Sequence, residues 1–409
     1  MNSMGRFFRT DIFGESHGEA LGILIDGCPA GIDLDADDLA GDLGRRRGGK
    51  EGTTARVETD APRILSGIFE GRTTGAPILI VLDNTEQNSG AYDALRYTPR
   101  PGHADFTAFS KYGGYNDHRG GGHFSGRLTA GLVAAGAIAK KIIAPATPEA
   151  NLVEAGGSRD IEGALRLAIA DGDSVGGIVE CRVARVPAGL GEPFFEPMES
   201  LISHAIFAIP AVKGIEFGAG FAAAAMRGSR CNDEIMDSTG TTRTNNAGGI
   251  AGGITNGNDI VFRVAVKPTP SIQRPQETID VRDGGRVSLA IEGRHDLCIA
   301  LRMPVIIEAV TAIVLADCML MEQMVPRVWR KTADTSEAPE QDLKTLDGLL
   351  CETISQIPEN AIFDEGTVTR LENITSRLEH LKHIIRDKDE EELKLFVART
   401  LYSRHKENH

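Results

Sequence analysis

Four glycine-rich segments carry the side chains best able to do chemistry in this 409-residue chain. They are Gly14-Glu15-Ser16-His17-Gly18, Arg100-Pro101-Gly102-His103-Ala104-Asp105, Arg119-Gly120-Gly121-Gly122-His123-Phe124-Ser125-Gly126-Arg127 and Gly293-Arg294-His295-Asp296. Glycine weakens regular elements, so loops of this kind bring backbone close to a ligand. Imidazoles move protons near neutral pH and guanidinium forks hold oxyanions. Together they read as an active site for an anionic ligand. The run Arg45-Arg46-Arg47 stands out against a net charge of −14. It fits either a solvated helix end or a site for a phosphorylated or carboxylated small molecule.

The elements that must position these loops are short strands and a few apolar helices. The longest expected helix in the body is 128–143, alanine-rich and nearly uncharged, starting directly after Ser125-Gly126-Arg127. Its positive end faces whatever the glycine loop binds. A second buried helix is expected over 305–321. A repeat runs through the body. Ile23-Leu24-Ile25 leads through Cys28-Pro29-Ala30-Gly31-Ile32 into one helix; Ile178 to Val186 leads through Pro187-Ala188-Gly189-Leu190 into another, near 195–207. Ser66–Gly71 precedes the strand 78–82, and Gly252–Gly257 precedes the strand 260–266. Two related halves are expected, in an α+β body.

Aromatic content of 5% and the acidic balance argue against a nucleic-acid surface. None of the six cysteines forms a CxxC pair, so no metal is expected. No leader and no apolar run long enough to cross a bilayer are read, which makes the cytoplasm the expected location and no membrane an expected partner. The domain reading is 1–325 as the catalytic body and 326–409 as linker and helical C-terminal extension. In the latter, Val368, Leu371, Ile374, Leu378, Leu381 and Ile385 recur at helical spacing.

The four segments and the arginine run resemble the chorismate synthase family. So do Val186-Pro187-Ala188-Gly189-Leu190-Gly191-Glu192-Pro193, Ala211–Gly218, Asn245-Asn246-Ala247-Gly248-Gly249-Ile250 and Lys267-Pro268-Thr269-Pro270-Ser271-Ile272. The resemblance implies a layered β-α sandwich with a pseudo-duplicated core. It implies the anti 1,4-elimination of phosphate from 5-enolpyruvylshikimate 3-phosphate to chorismate, with reduced FMN and no net redox change. NADPH enters only if the chain reduces its own flavin; otherwise an external flavin reductase is a partner. A homotetramer is also implied.

Residue roles follow from the same resemblance. His103 is implied as the general acid at the phosphate, His17 as the proton donor to reduced flavin, and Asp296 as the group assisting removal of the C6 hydrogen. By residue type alone, His103 could equally be satisfied by backbone bonds, and Asp296 could cap a turn or pair with Arg294. Arg46, Arg100, Ser125, Gly126, Arg127 and Arg294 are implied at the substrate. His123, Phe124, Ser125, Asn246, Ala247, Gly252, Lys267, Pro268, Thr269, Pro270, Ser271 and Arg294 are implied at the cofactor. The chain departs from the family at His123-Phe124, where an arginine and a serine are commoner. A protonated His123 would replace the lost cation, and binding would then weaken as pH rises. Retention of His17, His103 and Asp296 together argues against a flavin binder without catalysis, and no GxGxxG fingerprint follows an early strand. The tail reads as an oligomerisation helix, a brace across subunits, or a piece of a fused chorismate mutase-like domain.

Overall fold

The computed structural model describes residues 2–49, 52–54, 58–85, 92, 95–291 and 296–329. The expected C-terminal helices at 330–409 and the segment 292–295, which holds Arg294, lie outside the described residues. The helices are α1 (Asp37–Arg46), α2 (Asp105–Tyr112), α3 (Thr129–Ile143), α4 (Ile161–Asp171), α5 (Met198–Phe207), a single turn α6 (Gly228–Cys231) and α7 (Met303–Met321).

The first antiparallel sheet runs, in spatial order, Ser3–Met4, Arg9–Gly14, Ala20–Asp26, Ile78–Asp83 and Pro62–Ile64. The second runs Val212–Phe217, Ile260–Val266, Gly177–Ala184 and Thr147–Ala155. Alternate residues of the inner strands face the core: Leu21, Ile23 and Ile25 in one sheet, and Val179, Cys181 and Val183 in the other, are fully buried. Helix α3 packs on the first sheet and α7 on the second, and the two helices pack on each other. The body is therefore an α+β sandwich with helices between sheets.

The duplication extends through the order of the main elements, with α2, α4, α6 and the hairpin Gln276–Ile279/Arg286–Leu289 as additions to one half or the other. Ala20–Asp26 leads into α1, Pro62–Ile64, a small hairpin (Ile68–Phe69 with Arg72–Thr73), Ile78–Asp83 and then α3. Gly177–Ala184 leads into α5, Val212–Phe217, a small hairpin (Ile250–Ala251 with Ile254–Thr255), Ile260–Val266 and then α7. The partners within each sheet correspond as well. Close contact joins the halves at Gly136 of α3, where a Cβ would stand 2.2 Å from the Ala309 Cβ of α7. Only a glycine lets the two backbones approach so far.

Three expectations need adjusting. Ile299–Met321 is long and apolar enough to cross a membrane by length and composition, but 78% of that window is buried inside the protein, so it is a core helix. Helix α2 was not foreseen, because its glycine-flanked start at Asp105 reads as loop. Finally, the compact body runs Met1–Trp329, past residue 325. Its last residues are tied back by Ala30 N–H to the Arg327 carbonyl at 3.0 Å and Trp329 N–H to the Ala30 carbonyl at 2.6 Å.

Candidate active site

The third glycine segment forms a floor between two imidazoles. Gly120, Gly121 and Gly122 have φ of 59°, 82° and 54°, the left-handed region that glycine adopts without strain. A Cβ on Gly120 would lie 2.5 Å from His17 Cδ2, and one on Gly121 would lie 3.2 Å from His103 Cε1. Bare backbone thus lets both rings approach one turn. Ser16 N–H donates to the Gly122 carbonyl at 3.1 Å and ties the first segment to the third. The His17 ring is buried and meets Tyr92 edge-on, with centroids 5.1 Å apart.

His103 is oriented by the residues beside it. Its Nδ1 lies 2.5 Å from Asp105 Oδ1. Arg100 grips the same carboxylate through Nε at 2.7 Å and Nη2 at 2.9 Å, and reaches Ser271 Oγ through Nη1 at 3.1 Å. Arg100 has no lone pair to offer Nδ1, so the Nδ1 proton belongs to the Asp105 bond and Nε2 is the exchanging atom. Burial pulls the His103 pKa below its ordinary value, Arg100 and Lys267 pull the same way, and Asp105 opposes them. Burial would raise the Asp105 carboxyl, but its bonds to Arg100 and His103 hold it well below the carboxylate range.

The three consecutive arginines part company. Arg45 pairs with Glu308 at 2.6 Å and Asp42 at 3.1 Å, away from the site. Arg46 is almost fully buried. It donates to Thr129 Oγ1 at 3.0 Å, Asp60 Oδ2 at 3.1 Å, and the Gly126 and Arg127 carbonyls, each at 3.2 Å. Burial, with Arg302 and Arg127 nearby, pushes its pKa down to about 9 while Asp60 opposes, so it is still a cation near pH 7. Arg127 donates to Asp60 Oδ1 at 2.5 Å and Asn84 Oδ1 at 3.1 Å. Arg46, Arg47, Arg100, Arg127, Arg302, Ser125, Gly126 and Asp296 line one cavity of about 230 Å³. Three buried polar atoms of its lining residues have no hydrogen-bond partner among the described residues: Arg47 Nε, Arg127 Nη2 and Thr269 Oγ1. Buried donors left open in this way await an acceptor.

Asp296 enters the cavity from the other half. Its Oδ1 accepts from Thr54 N–H at 2.8 Å and its Oδ2 from Arg302 Nη1 at 3.1 Å. Arg302 Nε in turn donates to the Arg46 carbonyl at 2.9 Å.

A wider cleft of about 890 Å³ adjoins this cavity and shares Gly120, Ser125, Gly126 and Thr269 with it. Its lining includes His103, His123, Phe124, Lys213, Lys267, Thr269, Pro270 and Ser271. Lys267 Nζ donates to the Gly102 carbonyl; burial and then the nearby Lys213 lower its pKa. Pro268 packs beside Gly176 instead of lining the cleft. His123 lines the cleft, yet its Nδ1–H donates to the Gly14 carbonyl at 2.8 Å and its Nε2 lies 3.1 Å from Asn2 Oδ1. Asn246, Ala247 and Gly252 line neither space. The backbone N–H groups of Asn246 and Ala247 are both held by the Asp233 carboxylate at 2.8 Å, and Gly252 forms the turn of the small hairpin.

Asp60, Asp105 and Arg302 were not foreseen at the site. Asp105 stands inside the second segment and could have been found as the acidic neighbour that every buried histidine–arginine pair needs. Asp60 and Arg302 carry no local pattern.

The chorismate synthase family model matches residues 8–320. A chorismate synthase of Chitinophaga pinensis is 59% identical over 331 residues, covering 81% of this chain and 100% of that protein. One of Archaeoglobus fulgidus is 46% identical, covering 80% and 99%. A crystal structure of chorismate synthase superposes with a TM-score of 0.62 at 28% identity, covering 78% of this chain and 93% of that one.

Proposed function

The chain belongs to the chorismate synthase family of lyases, and we propose that its arginine-walled cavity seats 5-enolpyruvylshikimate 3-phosphate while the adjoining cleft seats FMN. The family's reaction is an anti 1,4-elimination of phosphate to give chorismate, the last common step toward the aromatic amino acids, and requires reduced flavin. Two lysine ammonium groups, Lys213 and Lys267, beside the unpartnered Thr269 hydroxyl suit the flavin phosphate. The cleft's volume lies in the range of cofactor sites, and Phe124 and the Gly120 backbone offer surface to a ring system. Bound reduced flavin supplies transient electron density and an acceptor for the C6 hydrogen.

The chain's own residues do the rest. Arg127 and Arg47 receive oxyanions of the substrate as fixed cations of the cavity wall. His103 is neutral near pH 7 before substrate arrives, because burial lowers its pKa. A phosphate dianion beside Nε2 reverses that balance, so the substrate brings the proton it will need onto the ring. Asp105 holds Nδ1–H throughout, and Nε2 passes the proton to the departing phosphate. Asp296, held by the Thr54 N–H and Arg302, is placed to assist C6–H removal. His17, enclosed by Gly120 and Tyr92, would hold a proton toward the edge of a bound flavin. The observation that carries the reading is a cavity walled by Arg46, Arg47, Arg100, Arg127 and Arg302 that also holds Asp296, with Arg47 Nε and Arg127 Nη2 lacking a partner among the described residues.

Anaerobic incubation with pre-reduced FMN and the enolpyruvyl substrate tests it. Phosphate release with growth of the diene absorbance is expected; silence with intact flavin binding would mark a binder without catalysis. Turnover with FMN plus NADPH in air separates a chain that reduces its own flavin from one served by an external reductase. We assign the chain to the cytoplasm and to a homotetramer, the latter supported by Phe194, Phe195 and Phe221 at 92%, 94% and 85% exposure. Residues 326–409 are read as a helical extension; deleting 334–409 should alter assembly and leave turnover intact.

A further inference from the structure

We infer that Asp60 is a positioning residue that sets which edge of Arg127 the substrate meets. The inference rests on the proposed role of Arg127 as an oxyanion donor. Asp60 is 1% exposed at its side chain and holds two guanidiniums at once, Arg46 through Oδ2 and Arg127 through Oδ1. Its φ of 46° lies in the left-handed region, which aspartate tolerates better than most residues. The carboxylate balances one of the two buried cations and leaves the other to be met by a ligand.

The two arginines depend on it unequally. Arg46 keeps Thr129 Oγ1 and two backbone carbonyls if Asp60 is removed. Arg127 keeps only Asn84 Oδ1, through Nε. With Nη1 paired to Asp60 and Nε to Asn84, Nη2 is the guanidinium nitrogen of this cavity-lining arginine that has no partner among the described residues. Without that pair the guanidinium rotates about its Nε bond to Asn84, and the open donor no longer stays in place. Asp60 borders the cavity, but both its carboxylate oxygens are taken by arginines, so it acts through Arg127.

The substitution Asp60→Asn keeps the shape and the backbone preference but offers one acceptor where two cations need one each. It is expected to raise the substrate KM about ten- to hundredfold, the range for losing a charge-assisted bond, with kcat changed less than about threefold. FMN binding, read by quenching of flavin fluorescence, should hold within about threefold. A double-mutant cycle with Arg127→Ala gives the decisive readout. If Asp60 works through Arg127, adding Asp60→Asn to Arg127→Ala changes KM less than about threefold. Full additivity overturns the inference and makes Asp60 a general brace, as does an equal loss of FMN affinity and substrate affinity in Asp60→Asn alone. An unchanged KM in Arg127→Ala defeats the reading of Arg127 itself, and the inference with it.

Discussion

Arg127 and Arg302 occupy equivalent places in the two halves. Each lies in a short 3-10 turn immediately before a central helix, Gly126–Leu128 before α3 and Ile299–Arg302 before α7. Each pairs with an aspartate, Asp60 or Asp296. Their exposures differ in a telling way. Asp60 is shut away at 1%, so its arginine is the partner left with an open donor. Both aspartates border the cavity, but Asp296 is 14% exposed, so here the carboxylate is presented and the arginine is its support. In the proposed reading, one junction, used twice, yields an anion receiver in the first half and a carboxylate that assists hydrogen removal in the second. The glycine floor with its two imidazoles lies on the first side, so in the proposed reading the leaving phosphate and the leaving hydrogen are served from opposite halves.

The sharpest way to break this comparison is to slow the two departures separately. His103→Ala removes the acid for the phosphate and should lower kcat by about 10²–10⁴-fold. Substrate deuterated at C6 should then show a smaller isotope effect than with the unaltered chain, because phosphate loss has become the slow step. Asp296→Asn should lower kcat by roughly 10²-fold, the low end of the range for a positioned proton-transfer group, and enlarge that isotope effect. Arg302→Lys, which leaves the carboxylate but loosens its aim, should move the effect in the same direction with about a tenfold loss. Isotope effects that change alike in both sets would abolish the division of labour between the halves.

A smaller change probes the first half alone. Asp105 raises the His103 pKa against burial, Arg100 and Lys267. Asp105→Asn removes that support, so the proton is lost at lower pH. The alkaline limb of kcat should shift to lower pH, with about a tenfold loss of kcat near pH 7 from the freed ring. An alkaline limb that stays put means the proton comes from elsewhere.

How much of this was legible in the sequence depends on whether a residue announces its own environment. Glycine-flanked His17, His103 and Arg127 did so in part: the loops marked them as candidates, and only the family resemblance gave them roles. The paired halves were legible too, because strand, Pro-Ala-Gly turn and helix recur in order. Asp60 was not: it follows Thr59 in a stretch without periodicity, and its role exists only where Arg46 and Arg127 arrive from α1 and from the turn before α3. The run Arg45-Arg46-Arg47 was half legible. Its helix-end reading holds for Arg45, which pairs with Glu308 of α7, and its ligand-site reading fits Arg47. No local pattern could divide the run, because the division is made by elements that lie far along the chain.

His123 gives the finest test of the comparison, since it sits on the first half's floor yet faces the cleft. By type it stands where a fixed cation is commoner, which suggested a charge that fades as pH rises. Its geometry argues for a tether. The Gly14 carbonyl can only accept, so Nδ1 carries a proton whether or not the ring is charged. That bond, which ties the first glycine segment to the third, needs only the Nδ1 proton, whereas the Nε2 contact with Asn2 Oδ1 would call for a second. His123→Gln should weaken FMN binding only about two- to fivefold, the cost of one neutral hydrogen bond. The ratio of affinities between mildly acid and mildly alkaline solution should be the same in the variant and the unaltered chain, since His103 and the flavin phosphate set it in both. A steeper dependence that vanishes with His123→Gln would restore the cation and make the floor, like the arginine wall, a receiver of charge.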